Sequence, residues 1–94
     1  MEQRIVFVCE GATPNVEGVC YVFGQCRLGP IRVGDRFRSM AAGAGPDLPV
    51  DFEVVGVVNA AGSNAGQLDP GSSGRIGLSP GTLGSDVSGV LLSG

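Results

Sequence analysis

Glycine and proline interrupt this chain often and leave room only for short elements. The 94 residues include 17 glycines and 6 prolines, which divide the apolar residues into short blocks. No stretch of a dozen residues places its apolar side chains with the period of an amphipathic helix, whereas several blocks alternate apolar and polar residues as half-buried strands do. Because 43% of the residues are hydrophobic, there is enough apolar material for a core, and the pattern predicts an all-β domain.

Six strands are predicted from these blocks. In the second, alternate residues from Cys20 to Cys26 share one face, while Tyr21, Phe23 and Gln25 share the other. Six short strands at this spacing favour a closed antiparallel barrel, because closure leaves no exposed sheet edge. The predicted strands cover residues 5–12, 16–26, 36–40, 50–59, 74–79 and 89–92, with a short extended segment at 31–33.

Glycine also predicts the turns between the strands. Pro70 followed by Gly71 suits the central positions of a type II turn, since proline fixes φ and glycine accepts a positive φ. Gly29 and Gly34 flank the extended segment 31–33, and both are expected to have positive φ.

A series of motifs runs along most of the chain. The segment 24–35, GQCRLGPIRVGD, has a strand-ending glycine, a second glycine five residues later and then I-x-V-G-D. It is followed by VVGV at 54–57, by LDPGSSG at 68–74, and by SDV at 85–87 before GVL at 89–91. This order resembles the β-barrel that follows the GTPase domain in elongation factor Tu and related translation GTPases, often called domain 2.

The resemblance implies a six-stranded antiparallel closed β-barrel of the translation-factor domain 2 type, with residues 1–94 as one stand-alone domain. In that family the barrel helps to hold the aminoacyl end of a transfer RNA or contacts the small ribosomal subunit, while GTP belongs to the neighbouring domain. The resemblance therefore implies a binding platform without an active site. The interval from Gly18 to Gly24 is one residue longer than in the family, which predicts a bulge or a shifted strand start.

The residue types that the chain lacks limit its chemistry. It has no histidine, and all six basic residues are arginine. A histidine general base, a Schiff-base lysine and the lysine of a phosphate-binding loop are therefore excluded. We predict no enzyme activity, no cofactor and no binding of GTP or ATP.

The N-terminal segment and the cysteines bear on localisation. Only five apolar residues stand between Arg4 and Glu10, too few for a signal peptide, and no run is long enough for a membrane span. Three cysteines without a C-x-x-C pair or a glycosylation motif are more typical of a reducing compartment than of secretion. We predict a cytoplasmic protein.

Cysteines and carboxylates are the remaining candidates for chemistry. A metal or redox site at Cys9, Cys20 and Cys26 would need a fourth ligand or a nearby base, so burial in the core is the preferred interpretation. Asp51 and Glu53 lie two apart on one strand face, but without a cleft between them they are expected to face solvent.

Four of the six arginines lie within twelve positions: Arg27, Arg32, Arg36 and Arg38. They are the candidate partner-binding residues. Arg36 and Arg38 share one face of a strand, with Phe37 predicted to point inward. The net charge of −3 disfavours a surface devoted to nucleic acid, but a local basic face could contact RNA phosphates or an acidic protein. The alternative is an ordinary solvated face of a half-buried strand.

The predicted partner is RNA or a protein of the translation machinery. The alternative is a protein–protein inhibitor or immunity-type factor that uses the same barrel to occupy a partner's docking surface. The two differ in their response to salt, because phosphate contacts weaken steeply with salt and apolar interfaces do not.

Overall fold

The computed structural model describes residues 4–13, 16–42, 47–80 and 89–94, and all regular structure in these ranges is β. No helix that could span a membrane occurs among them. The all-β prediction is confirmed. The strands are β1 (Val6–Ala12), β2 (Cys20–Leu28), β3 (Ile31–Arg32), β4 (Arg36–Ala42), β5 (Leu48–Asn59), β6 (Gln67–Leu68), β7 (Ser73–Ser79) and β8 (Val90–Ser93).

Six of these strands close into a barrel in the order β1, β2, β7, β5, β4, β8, with every neighbouring pair antiparallel. The short strand β8 completes the closure: Leu92 lies opposite Phe7 of β1 on one side and Met40 of β4 on the other. Closure removes the free edges at which an open sheet would pair with other chains. The predicted closed six-stranded barrel is confirmed.

Apolar side chains from the strands fill the barrel interior. Phe7 and Phe37 are the largest fully buried side chains. The small antiparallel sheet of β3 and β6 adds Ile31 and Leu68, which lie opposite each other and are buried in the same core. Strand β6 was not among the predicted strands, because two residues give no periodic signal.

Strand β2 shows the predicted alternation. Cys20, Val22 and Cys26 are fully buried, whereas Phe23 is 41% exposed. The strand begins at Cys20, not at residue 16, because Glu17 and Gly18 form a two-residue hairpin turn with φ of 54° and 79°. Two backbone hydrogen bonds between residues 16 and 19 close this turn. A shifted strand start is one of the two outcomes that the long interval before Gly24 predicts, and the observed shift is to Cys20.

The turn before β4 is built on Gly34. Its φ is 99°, as predicted, and the Asp35 N–H donates to the Arg32 carbonyl at 3.1 Å. In return, Asp35 Oδ2 accepts a 2.8 Å hydrogen bond from the Arg32 N–H. Bonds from Gly34 N–H to Val54 O and from Val54 N–H to Asp35 O, both 2.8 Å, attach the turn to β5. The start of β4 is thereby fixed.

Two other turn predictions have different outcomes. Gly71 has a φ of 86° and the Ser72 N–H donates to the Asp69 carbonyl at 3.0 Å, which fits the predicted type II turn. The prediction of a positive φ at Gly29 is wrong. Glycine is needed there for its size, since a β-carbon would lie 2.7 Å from the Ile31 nitrogen. The SDV motif at 85–87 lies outside the described residues.

Candidate functional site

Strand β4 presents two arginines to solvent. Arg36 and Arg38 are exposed on either side of Phe37, which is fully buried. The predicted faces of this strand are therefore confirmed, and both guanidinium groups lie outside the barrel.

Arg36 is engaged by two carboxylates of the neighbouring strand. Its Nη1 lies 2.8 Å from Asp51 Oδ1, and its Nη2 lies 3.6 Å from Glu53 Oε1. Glu53 is its direct cross-strand partner, and β5 carries an extra residue between the Phe37–Phe52 and Ser39–Pro49 pairs, where Asp51 lies. The charge of Arg36 is compensated. Sequence proximity could not reveal these partners, because they become neighbours only when β4 pairs with β5.

Arg38 has a different environment. In the described part of the chain no carboxylate lies within salt-bridge distance of it. It lines a shallow hollow of about 740 Å³ together with Arg4, Arg36 and Ser39. An adjoining hollow of about 420 Å³ lies between Arg38 and the β5 side chains Val50 and Asp51. Arg38 is thus an available cation beside open space.

The other two candidate arginines lie elsewhere. Arg32 is on β3, outside the barrel sheet, and its Nε donates to Gln67 Oε1 at 3.2 Å. Arg27 is on β2, which two strands separate from β4 in either direction around the barrel. The structure thus brings Arg36 and Arg38 together and leaves Arg27 on the far side.

Arg4 joins the β4 pair without any local signal in the sequence. It precedes β1 and lines the same hollow as Arg36 and Arg38. The connection is made by the residues at the end of β8: the Gly94 N–H donates to Ile5 O at 3.0 Å. A β-carbon on Gly94 would also lie 2.6 Å from the Arg36 carbonyl oxygen. Arg4 becomes a candidate site residue only when the closed barrel places it beside β4.

A second surface combines aromatic side chains with glycine backbone. The Tyr21 ring extends from β2 over Gly77 of β7 and Gly56 of β5, since a β-carbon on Gly77 would be 3.1 Å from Tyr21 Cζ and one on Gly56 would be 2.9 Å from its hydroxyl. Phe23 of β2 and Val55 of β5 are 41% and 40% exposed. The outer face of β2, β7 and β5 is therefore partly apolar.

The cysteines belong to the core, as predicted. Cys9, Cys20 and Cys26 are free thiols and fully buried. Burial, with the nearby Cys20 thiol adding to it, raises the pKa of Cys9 to about 12. Burial also raises the pKa of Cys20 and of Cys26. Since the thiolate is the reactive and metal-binding form, this environment disfavours both roles.

Two of the cysteine thiols form hydrogen bonds to backbone carbonyls. Cys20 Sγ donates to the Thr13 carbonyl at 3.2 Å, and Cys26 Sγ donates to the Leu28 carbonyl at 3.3 Å. Within the ranges that the structure describes, no three His, Cys, Asp or Glu side chains are arranged to hold a metal ion.

Comparison with known proteins gives one informative likeness. No protein-family model and no curated protein matches the sequence. The crystal structure of translation elongation factor SelB from Methanococcus maripaludis, in its apo form, aligns with 99% of this chain at a TM-score of 0.72 and 15% identity. The chain spans about a fifth of that protein, 19% of its length. The likeness shows the fold: this chain is a barrel of the elongation factor domain 2 type.

Proposed function

We propose that this barrel is a non-enzymatic, cytoplasmic binding module of the translation-factor type that engages RNA. Arg38 is the principal proposed contact. Of the other candidate arginines, Arg36 lies beside it but is paired with Asp51 and Glu53, Arg32 lies on β3, and Arg27 lies on the far side of the barrel. The observation that carries the proposal is Arg38, an exposed guanidinium without a carboxylate partner in the described residues, which lies beside a hollow of about 740 Å³. The translation-factor fold supports RNA or a protein of the translation machinery as the partner class.

Phosphate is the part of RNA that these arginines suit. A guanidinium presents its N–H groups in a planar fork that matches the oxygens of a phosphate. Such contacts position a protein on the backbone and carry no sequence information. The module is therefore expected to bind RNA sequences with similar affinity and to lose affinity as salt rises.

A salt titration of RNA affinity tests the proposal. Arg38→Ala should weaken binding to a single-stranded RNA and reduce the slope of log affinity against log salt by about 0.7, the contribution of one phosphate contact. The matched control is Arg75→Ala, which removes an exposed arginine from β7, also without a carboxylate partner in the described residues. Equal slopes for the two variants, or no binding by the wild type, would overturn the proposal.

Nucleotide binding and catalysis are not part of the proposed function. The sequence lacks lysine and histidine, so it has neither the lysine of a phosphate-binding loop nor a histidine base. Calorimetry should show no micromolar binding of GTP or ATP. Micromolar affinity for either nucleotide would contradict this.

A protein partner is the second candidate function. The partly apolar outer face of β2, β7 and β5, with Phe23 and Val55 exposed, would suit the inhibitor or immunity-type role, in which the barrel occupies a docking surface. Binding there would be nearly independent of salt and sensitive to Phe23→Ser. RNA binding would be insensitive to that change, so Phe23→Ser and Arg38→Ala together separate the two functions.

A further inference from the structure

We infer that the hollow between Arg4 and Arg38 is a binding site for a phosphate group, with these two guanidinium groups as its ligands. Its use for an RNA phosphate rests on the proposed function, and the hollow is then the place on the barrel where that phosphate binds. It also adds Arg4, which no local pattern in the sequence places beside β4.

The ends of three neighbouring strands build this hollow. Strand β8 lies between β1 and β4, and Ser93 pairs with Val6 on one side and with Ser39 on the other. Arg4 lies two residues before Val6, just ahead of β1, and Arg38 immediately precedes Ser39 on β4. Arg4 and Arg38 therefore line the same hollow from opposite sides of the β8 terminus.

The charges around the hollow leave these two arginines available. Asp35 is the one Asp or Glu among the described residues that line it, and its Oδ2 accepts the Arg32 N–H at 2.8 Å. Arg36 is held by Asp51 and Glu53 of β5. In the described part of the chain, neither Arg4 nor Arg38 has a salt-bridge partner.

An oxyanion with several equivalent oxygens fits two guanidinium groups better than a carboxylate does. Each arginine can give two parallel N–H bonds to one oxygen pair, and a phosphate group has enough oxygens to accept from both. The shared chemistry is a phosphate group, whether it comes from an RNA backbone or from a free phosphate ion.

The carboxylates that pair with Arg36 should lower the affinity of the hollow for phosphate. Asp51 competes with any incoming anion for the Arg36 guanidinium, which lines the hollow. Replacing Asp51 by Asn removes that competition, and exposed ion pairs of this kind contribute about 0.2–1 kcal/mol. The affinity for phosphate should then rise about 1.5- to 5-fold. Glu17→Gln, in the hairpin turn at the other end of β1, removes one negative charge as the control.

The arginine side chains supply a direct readout. The chain has six arginines and no lysine, so an NMR spectrum of the arginine Nε–H groups has six signals to assign. Inorganic phosphate, at constant ionic strength, should shift the Arg4 and Arg38 signals and leave that of Arg75 in place. A short single-stranded RNA should shift the same two signals.

Substitutions then identify the ligands. Arg4→Gln and Arg38→Gln should each weaken phosphate binding and each reduce the salt slope of RNA binding by about 0.7. Arg75→Gln removes the same charge from β7 and should do neither. Urea unfolding curves of all variants show whether the barrel remains folded.

The outcomes separate this site from the proposed function. If RNA binding depends on Arg38 but Arg4→Gln behaves like Arg75→Gln, the phosphate site is wrong and the RNA function stands. If inorganic phosphate shifts the Arg4 and Arg38 signals while RNA does not bind, the site stands with free phosphate as its ligand and the RNA function falls. If neither ligand shifts these signals, both are wrong.

Discussion

Arg36 Nη1 lies 2.8 Å from Asp51 Oδ1 across the β4–β5 pair. The second contact of this guanidinium, to Glu53 at 3.6 Å, involves the residue directly opposite it in the strand register. Two residues further along β4, Arg38 has no such partner in the described residues. The two arginines therefore differ in their surroundings: Arg36 is held by two carboxylates of β5, whereas Arg38 has no carboxylate partner among the described residues.

The Arg36–Asp51 pair should contribute little to stability. Its side chains are 46% and 73% exposed, so water screens their attraction. A double-mutant cycle with Arg36→Ala and Asp51→Ala should give a coupling free energy below about 1 kcal/mol. A coupling above about 2 kcal/mol would mean that this ion pair contributes substantially to the free energy of unfolding, contrary to the prediction.

Replacing Gly34 by valine should destabilise the barrel by about 1–2 kcal/mol, measured by urea unfolding. A β-carbon there would meet no atom within 4 Å, so the cost arises from forcing a β-branched residue to a φ of 99°. Gly66→Val is the matched control, since Gly66 also has open space but no positive φ. Equal unfolding midpoints for the two variants would show that the Gly34 turn does not require glycine.

Replacing Gly56 by alanine should displace the Tyr21 ring. The new β-carbon would lie 2.9 Å from the Tyr21 hydroxyl, and the ring is the part that can move. Tyr21 is the single tyrosine of the chain, which has no tryptophan, so tyrosine fluorescence reports on this surface. Quenching by acrylamide should increase in Gly56→Ala and stay at the wild-type level in Gly66→Ala. Unchanged quenching in Gly56→Ala would contradict the described contact.

Alkaline pH should weaken the fold through Cys9. The pKa of this thiol rises from 9.0 to about 12 in the folded barrel, so the unfolded chain loses the proton first. The contribution of the protonated Cys9 thiol to the stability of the fold is complete below pH 9 and is lost as pH rises toward about 12. Over that window the free energy of unfolding should fall by up to about 1.4 kcal/mol per pH unit for this one group. Cys9→Ala should give a shallower fall, and an identical slope would exclude Cys9 as the source.

The features that the sequence predicts correctly are local or depend on the order of motifs. Alternation identifies the inward face of β2 and the position of Phe37 between two exposed arginines. Glycine and proline predict the turns at Gly34 and Gly71, since each turn type requires a particular φ. The order of motifs predicts the closed barrel.

The features that the sequence does not predict depend on strand pairing. The carboxylates that hold Arg36 come from β5, and Arg4 lines the same hollow as Arg38 only because β8 closes the barrel. Gly29 shows a different limit of sequence analysis. Its residue type predicts a positive φ, but glycine is required at this position because the chain packs closely against Ile31. Cross-strand neighbours have no signature in a single sequence, so the charge balance of the candidate site follows only from the fold.

The most direct test of the central claim is affinity purification of the tagged protein from its own cell. Wild-type protein should co-elute with ribosomal or transfer RNA, and that RNA should be released by raised salt, as phosphate contacts require. A variant with Arg32, Arg36 and Arg38 replaced by alanine should recover much less RNA, while Arg75→Ala should recover the wild-type amount. Co-elution of one protein in equal amount with all three forms, without RNA, would contradict the account.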